Sequence, residues 1–179
     1  MTALLPILKT EIETQGPITI ARYMELALGH ADHGYYMTRD PLGVDGDFIT
    51  SPEISQMFGE MLGLWSAMVW QGLNAPDPVN VVEFGPGRGT LAADAMRAAQ
   101  AMEGFDDAAR LWLVETSPVL RAAQKKNLMQ TMKMPALRDT CDGVSDGPCI
   151  VPGPDVFERQ PTSQNGGAAD RGVGRSRVW

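Results

Sequence analysis

The sequence predicts an α/β fold, a doubly wound parallel sheet preceded by a helical N-terminal region. Three observations carry this. A β-branched run, Val81-Val82-Glu83-Phe84, leads into Gly85-Pro86-Gly87-Arg88-Gly89, and a helical pattern begins at once. From Val79 onward, strand-like and helix-like stretches alternate, as they do where helices cross over between parallel strands. The first seventy or so residues, by contrast, carry mainly helical periodicity.

The elements follow in order. Leu4, Leu5, Leu8 and Ile12 form one apolar stripe. Ile20, Tyr23, Met24, Ala27 and Leu28 form another, opened by Pro17 and a Thr19 N-cap. A turn-rich stretch from His30 to Thr50 has glycines at 34, 43 and 46. The strongest helical pattern then runs from about Pro52 to Gln71. Ser51 suits the N-cap, Pro52 the first helical position, and Glu53 the first turn, where the helix dipole favours an anion. Ile54, Met57, Phe58, Met61, Leu62, Leu64, Trp65, Met68 and Val69 share a wide apolar face, so this Met-rich face is expected to pack on the sheet. Trp65 is then a core residue, and Trp65→Ala a loss of roughly 3–5 kcal/mol.

Strand one is predicted at about 79–84, a helix at about 90–102, strand two at about 111–115. Ser117 and Pro118 open the next helix, which runs to about Met129. A weak third strand lies near Ala136–Arg138 and a weak fourth near 149–151. The division is a helical lobe over 1–75, an α/β core over 76–139, and a tail over 140–179 that contains no leucine and little apolar pattern.

Bulk properties narrow the function. A length of 179 residues suits one well-buried domain. The net charge of −7 argues against a non-specific nucleic-acid binder and favours a basic partner. No apolar run approaches the length of a membrane span, and the N-terminus has neither a secretory signal nor the Arg- and Ser-rich character of a transit peptide. Cys141 and Cys149 have neither zinc nor redox spacing, which suggests a reducing, cytoplasmic setting.

The glycine turn is the chemical centre of the chain. Gly85, Gly87 and Gly89 follow a Gly-x-Gly-x-Gly spacing, shorter than the dinucleotide form. Glycine tolerates positive φ and lets backbone approach a ligand closely. Glu83 precedes the loop, where its carboxylate meets a cation, and Thr90 follows it. The second strand, Leu111-Trp112-Leu113-Val114, ends in Glu115, a position from which a carboxylate accepts two ribose hydroxyls. The glycine loop with this second acid resembles the class I S-adenosylmethionine-dependent methyltransferases. The alternative is a turn whose glycines serve packing alone.

Further segments sharpen the resemblance. His33-Gly34-Tyr35-Tyr36-Met37, then Gly46-Asp47-Phe48-Ile49-Thr50-Ser51-Pro52-Glu53-Ile54, then Glu83 to Leu91, then Val114-Glu115 with Ser117-Pro118 occur in one order. Together they resemble the MidA family, S-adenosylmethionine-dependent protein arginine methyltransferases associated with respiratory complex I assembly, over about residues 5–130. The resemblance implies a class I methyltransferase Rossmann-like parallel sheet, incomplete here, with a helical N-terminal lobe. It implies S-adenosyl-L-methionine as cofactor, bound by Glu83, Gly85, Gly87, Gly89, Thr90 and Glu115. It implies a protein substrate, a complex I subunit symmetrically dimethylated on arginine, in mitochondria for eukaryotic relatives and in the cytoplasm for bacterial ones.

Family members also carry an Asn-Glu-aromatic-Phe-Asp-Ala-Leu-Pro motif after the fourth strand. Here the corresponding place reads Pro154-Asp155-Val156-Phe157-Glu158-Arg159-Gln160-Pro161, and Pro152 cuts the preceding strand short. The tail reads as a family sequence altered by frameshifts or reading errors and then truncated, the alternative being a real truncated paralogue. On that reading the chain is expected to be poorly soluble or partly molten, disordered beyond about 152, and negligibly active.

Methyl transfer from a sulfonium is an in-line displacement, so the protein mainly aligns its reactants. A guanidinium nucleophile needs carboxylates to orient it and take its proton. Asp47 and Glu53 are candidates from the helical lobe, and Asp155 and Glu158 from the altered motif. Asp47 and Glu53 also have simple local roles, as a turn aspartate and a first-turn glutamate. His30, Asp32 and His33 read as a polar loop at a helix end rather than a metal site, and Arg88 as exposed or paired with a nearby carboxylate. Two other classes stand beside the arginine methyltransferase: a non-catalytic cofactor-binding or assembly protein, and a small-molecule methyltransferase.

Overall fold

In a computed structural model, which describes residues 3–128, 135–140, 143–144 and 146–152, four parallel strands form a single sheet. The strands are β1 Val79–Phe84, β2 Ala109–Val114, β3 Ala136–Arg138 and β4 Cys149–Ile150, in the order β3-β2-β1-β4. The chain thus moves outward from β1 through β2 to β3, then crosses to the other side of β1. That reversal is the topological switch point of a doubly wound sheet, and ligands bind beyond the carboxyl ends of the strands there.

β1 is buried on both faces, as a central parallel strand must be. Val79 and Val81 face Ala92, Met96 and Ala99 of helix α6 (Thr90–Ala99) in one apolar cluster, which Phe105 and Leu113 complete. The one polar side chain inside β1 that lies fully buried, Asn80, accepts the indole N–H of Trp112 at 2.8 Å. A short helix, α7 (Phe105–Ala108), precedes β2 and was not foreseen from periodicity; at one turn it is too short to show any. Helix α8 (Pro118–Leu128) begins as its sequence predicts, with Ser117 Oγ accepting the Leu120 amide at 3.3 Å.

The N-terminal helices are α1 (Leu5–Gln15), α2 (Ile20–Gly29) and α3 (Tyr35–Thr38). Thr19 caps α2, its hydroxyl accepting the Arg22 amide at 3.1 Å. Arg22 reaches back to α1 with both ends of its fork, 2.7 and 3.2 Å from the Glu11 carboxylate oxygens. That bidentate bond holds the Glu11 carboxyl below its usual range.

The 52–71 helix departs from expectation in two ways. It is broken: α4 (Ser51–Ile54) ends at Ser55, whose φ of −146° and ψ of 118° are extended, and α5 runs from Gln56 to Gly72. The residue flanking α4 is Thr50, not Ser51, and neither helix start carries a side-chain cap bond. Its packing face is also different. The buried residues of α5 are Gly59, Gly63, Ser66, Ala67 and Trp70, a stripe of mostly small side chains against α6. Met57, Met61 and Met68 are exposed, and Trp65 is 45% exposed. Small residues let two helix backbones approach more closely than a row of methionines would, and that close contact decides which face is buried. Trp70, not Trp65, is the core tryptophan. Its ring meets Phe105 edge-on at 5.4 Å, and its N–H donates to the Pro76 carbonyl at 2.9 Å. Trp65→Ala is therefore expected to cost under about 1 kcal/mol rather than the loss foreseen above, as a urea melt would read.

Residues beyond Pro152, including the altered motif, lie outside the described residues.

Candidate cofactor and substrate site

The site is built where β1 ends. The ladder carries one bond further, from the Gly85 amide to the Val114 carbonyl at 2.9 Å, and the chain then turns sharply. Gly85, Gly87 and Gly89 all adopt positive φ, at 60°, 57° and 78°. Each is a conformation that side-chain-bearing residues rarely hold. The turn closes with the Gly89 amide on the Pro86 carbonyl at 2.8 Å, and α6 starts from a left-handed Gly89.

Helix α8 holds this loop from behind. Leu120, Gln124 and Leu128 recur every fourth residue along its buried stripe, and all three are buried. Gln124 Nε2 donates to the Gly87 carbonyl at 2.7 Å. A glutamine on an otherwise leucine stripe was the signal for this role, and sequence reading passed over it.

A cavity of about 360 Å³ opens over the loop. That size suits a small-molecule ligand. Glu83, Gly85, Gly87 and Thr90 from the α/β part line it together with Ile49, Glu53 and Phe58 from the N-terminal part. Glu83 is buried at the strand end. Glu53, carried by α4, accepts the Thr90 hydroxyl at 2.7 Å and so lies at the start of α6, where a carboxylate meets the helix dipole favourably.

Glu115 follows β2, beside the glycine turn in register, since Phe84 pairs with Val114. It is buried, and its Oε1 accepts the Ser117 amide at 3.0 Å. It lines a second cavity of about 210 Å³ with Met24, Leu28 and Tyr36 from the N-terminal helices. Asp47 stands apart from both cavities. Its carboxylate accepts the Tyr35 hydroxyl and pairs with Arg39 at 2.7 Å. Loss of solvent around Tyr35, then the bond to Asp47, push the tyrosine hydroxyl above its ordinary range. Asp155 and Glu158 lie outside the described residues.

The structure thus gathers Glu53, Glu83, Gly85, Gly87 and Thr90 about one cavity, with Gly89 just behind it. Glu115 belongs to the second cavity, and Asp47 to a surface cluster. Arg88 is paired, as its position in the loop suggested. Its Nε lies 2.7 Å from Asp40 Oδ2, and its Nη2 donates to the Leu42 carbonyl. Asp40 was not singled out in the sequence, because it stands 48 residues away with no local pattern to mark it. His30 and His33 stack on one another at 5.1 Å, and His30 Nδ1 accepts the Asp32 amide, a local turn role. Among the described residues no helix is long and apolar enough to cross a membrane.

The positive-φ loop, its buried acid and the cavity above it fit a ligand that needs close backbone approach. A Cβ at Gly87 would lie 2.6 Å from Leu42 Cδ1, which would have to shift, and the φ of 57° resists any side chain there.

Comparison with known proteins agrees with this geometry. The model of a family of S-adenosyl-L-methionine-dependent methyltransferases matches residues 61–164. The chain is 46% identical over 117 residues to the mitochondrial protein arginine methyltransferase NDUFAF7 homolog of Drosophila melanogaster, covering 65% of this chain and 26% of that protein. It is 43% identical over 141 residues to the mitochondrial protein arginine methyltransferase NDUFAF7 of Mus musculus, covering 78% of this chain and 32% of that one. The chain therefore spans about a quarter to a third of the length of these curated relatives. A COG1565 superfamily member from Burkholderia thailandensis, solved bound to S-adenosyl-homocysteine, superposes with a TM-score of 0.63 at 28% identity, over 83% of this chain and 40% of that chain. With the family model covering over half of its length, the chain belongs to this family of S-adenosyl-L-methionine-dependent methyltransferases, the MidA-like group that its motifs resemble.

Proposed function

We propose that this chain carries the cofactor-binding part of a protein arginine methyltransferase, with the α/β core over 76–139 holding S-adenosyl-L-methionine and the helical lobe over 1–75 closing over it. The observation that carries the reading is the run of three positive-φ glycines at the switch point, two of which, Gly85 and Gly87, line a cavity of suitable size with a buried acid. When bound, the cofactor supplies an electrophilic methyl group on a sulfonium. The chain's own task is binding and alignment. Gly85 and Gly87 offer backbone close to the methionine end, Glu83 a negative charge near its ammonium, and Glu115 an acceptor for the ribose hydroxyls.

An arginine side chain is cationic, and Glu53, which accepts the Thr90 hydroxyl, is a carboxylate from the helical lobe lining the same cavity as Glu83. It is the candidate for orienting a substrate guanidinium and taking its proton. Asp47 stands apart from the cavity, which leaves it a weaker candidate. The named arginine methyltransferase relatives support a protein substrate. The finer reading, symmetric dimethylation of a complex I subunit, in the bacterial cytoplasm or in mitochondria for eukaryotic relatives, follows from the family resemblance. The exposed face of Met57, Met61, Trp65 and Met68 favours a second reading, an assembly protein that docks a partner and keeps its cofactor pocket without catalysis.

Transfer of a labelled methyl group to a protein band, and its release as dimethylarginine on hydrolysis, is the expected result for the first reading. Cofactor binding with no labelled protein favours the second. Glu115→Ala should weaken S-adenosylmethionine binding, at roughly 1.5–3 kcal/mol for each charge-assisted bond lost. Calorimetry on the purified chain measures it, and unchanged affinity would remove Glu115 from the site.

A further inference from the structure

The segment from Asp40 to Glu53 meets the glycine loop, and Arg88 ties its first residues there, while the Thr90 hydroxyl ties Glu53 at its end. Arg88 Nε is 2.7 Å from Asp40 Oδ2, its Nη2 donates to the Leu42 carbonyl, and its Nη1 lies 3.8 Å from Glu53 Oε2. The guanidinium is 29% exposed and Asp40 27%, so both ends are shielded more than a surface pair. Gly43, at φ +87°, passes so close that a Cβ there would strike the guanidinium. The main chain of Arg88 is fixed from the other side, its carbonyl accepting Asn127 Nδ2 at 3.1 Å. A planar fork with several donors suits such a junction, whereas a lysine offers a single point charge.

The segment has its own internal turn. The Asp47 and Phe48 amides both donate to the Pro41 carbonyl, at 2.7 and 3.0 Å, and the Gly43 amide donates to Phe48. These bonds tie residues 41–48 together, with Leu42 placed against Gly87 and Ile49 and Glu53 following at the cavity wall. No other ion pair among the described residues joins this segment to the α/β part.

We propose that Arg88 is a positioning residue: through Asp40, the Leu42 carbonyl and Glu53 it latches segment 40–53 onto the glycine loop, so that cofactor affinity and the order of this segment are coupled. The proposal rests on the cofactor reading given above for the cavity. By linkage, whatever bound group the closed segment favours must in turn favour the closed segment.

The test combines calorimetry with S-adenosylmethionine and amide hydrogen exchange on the same purified chain, wild type, Asp40→Asn, Arg88→Gln and Arg88→Lys. Arg97→Gln, which removes an exposed pair with Glu60 and Asp94, controls for loss of charge alone. The expected result is an affinity about five- to twenty-fold weaker in Asp40→Asn and Arg88→Gln, with faster exchange at the Gly43, Asp47 and Phe48 amides. Arg88→Lys should fall between, and a chain carrying both Asp40→Asn and Arg88→Gln should lose no more than Arg88→Gln alone. Helix α6 amides should keep their protection, which shows that the variants fold. Wild-type affinity in both single variants overturns the latch, and so does weaker binding with unchanged exchange in residues 41–48. A wild-type chain that does not bind S-adenosylmethionine refutes the cofactor reading instead. The latch is then judged in the free protein, where unchanged exchange in Arg88→Gln overturns it.

Discussion

Gly63→Leu is expected to abolish the native packing of this chain, or to lower its stability by more than about 3 kcal/mol. Even the first added carbon would lie 2.5 Å from the Ala95 carbonyl carbon and 2.6 Å from its Cα. Those are backbone atoms of α6, and no rotamer change moves them. Helix propensity favours any replacement of glycine in mid-helix, by about 1 kcal/mol for alanine. The clash outweighs that gain, because relieving it means pulling α5 off α6 and opening the cluster around Ala67, Trp70 and Met96. Gly72→Ala is the internal contrast. It ends the same helix with nothing within 4 Å of a new Cβ, so it should be neutral or slightly stabilising. Thermal melts of both variants check the argument. A Gly63→Leu melt at the wild-type temperature would show that the two helices are not in close contact.

Gly87→Val is expected to remove S-adenosylmethionine binding while leaving helix content near normal. A φ of 57° costs a non-glycine residue about 1–2 kcal/mol, and a β-branched one more. The new side chain also enters the cavity lining and meets Leu42. Leu42 can shift, since only the end of its side chain is struck. The backbone cannot comply so easily, because Gln124 holds the Gly87 carbonyl at 2.7 Å. Calorimetry and circular dichroism together decide it. Unaltered affinity in a folded variant would mean that the glycine loop is not the cofactor cradle.

Much of the α/β part was legible before the structure. β1 and β2 have local signatures, short apolar runs ended by an abrupt glycine turn or an acid, and Ser117-Pro118 marks a helix start, whereas β3 carries only a weak one. Each is decided by residues within a few positions of one another, which is why pattern suffices. The break at Ser55 was not legible, because the apolar period runs on through it. Nor was the orientation of α5. Hydrophobicity ranks methionine and tryptophan above glycine and serine, but helix contact rewards closeness, and Gly59 and Gly63 supply it against Asp94 and Ala95. Within the site, the glycines and Glu83 announce themselves by spacing. The partners that hold them, Asp40 and Gln124, do not, since their roles exist only once distant segments meet.

The sheet order also has a kinetic meaning. β1 meets β2 through pairs such as Val79 with Ala109, across a single crossover. Among the described residues it meets β4 through two pairs, Asn80 with Cys149 and Val81 with Ile150, after the chain has visited β2 and β3. Closing the longer loop adds only about 0.6 kcal/mol per doubling of length, but two residue pairs repay it where β2 offers six. Long-range pairing of this kind forms late in folding. β4 should thus be the last strand to dock and the first to part from β1, a low-lying opening that leaves β1 and β2 intact. That opening lies on the side of β1 where the strand order reverses. The crevice beside the glycine loop would then breathe far more often than the protein unfolds, with exchange at the β4 amides outpacing that of β1 and β2.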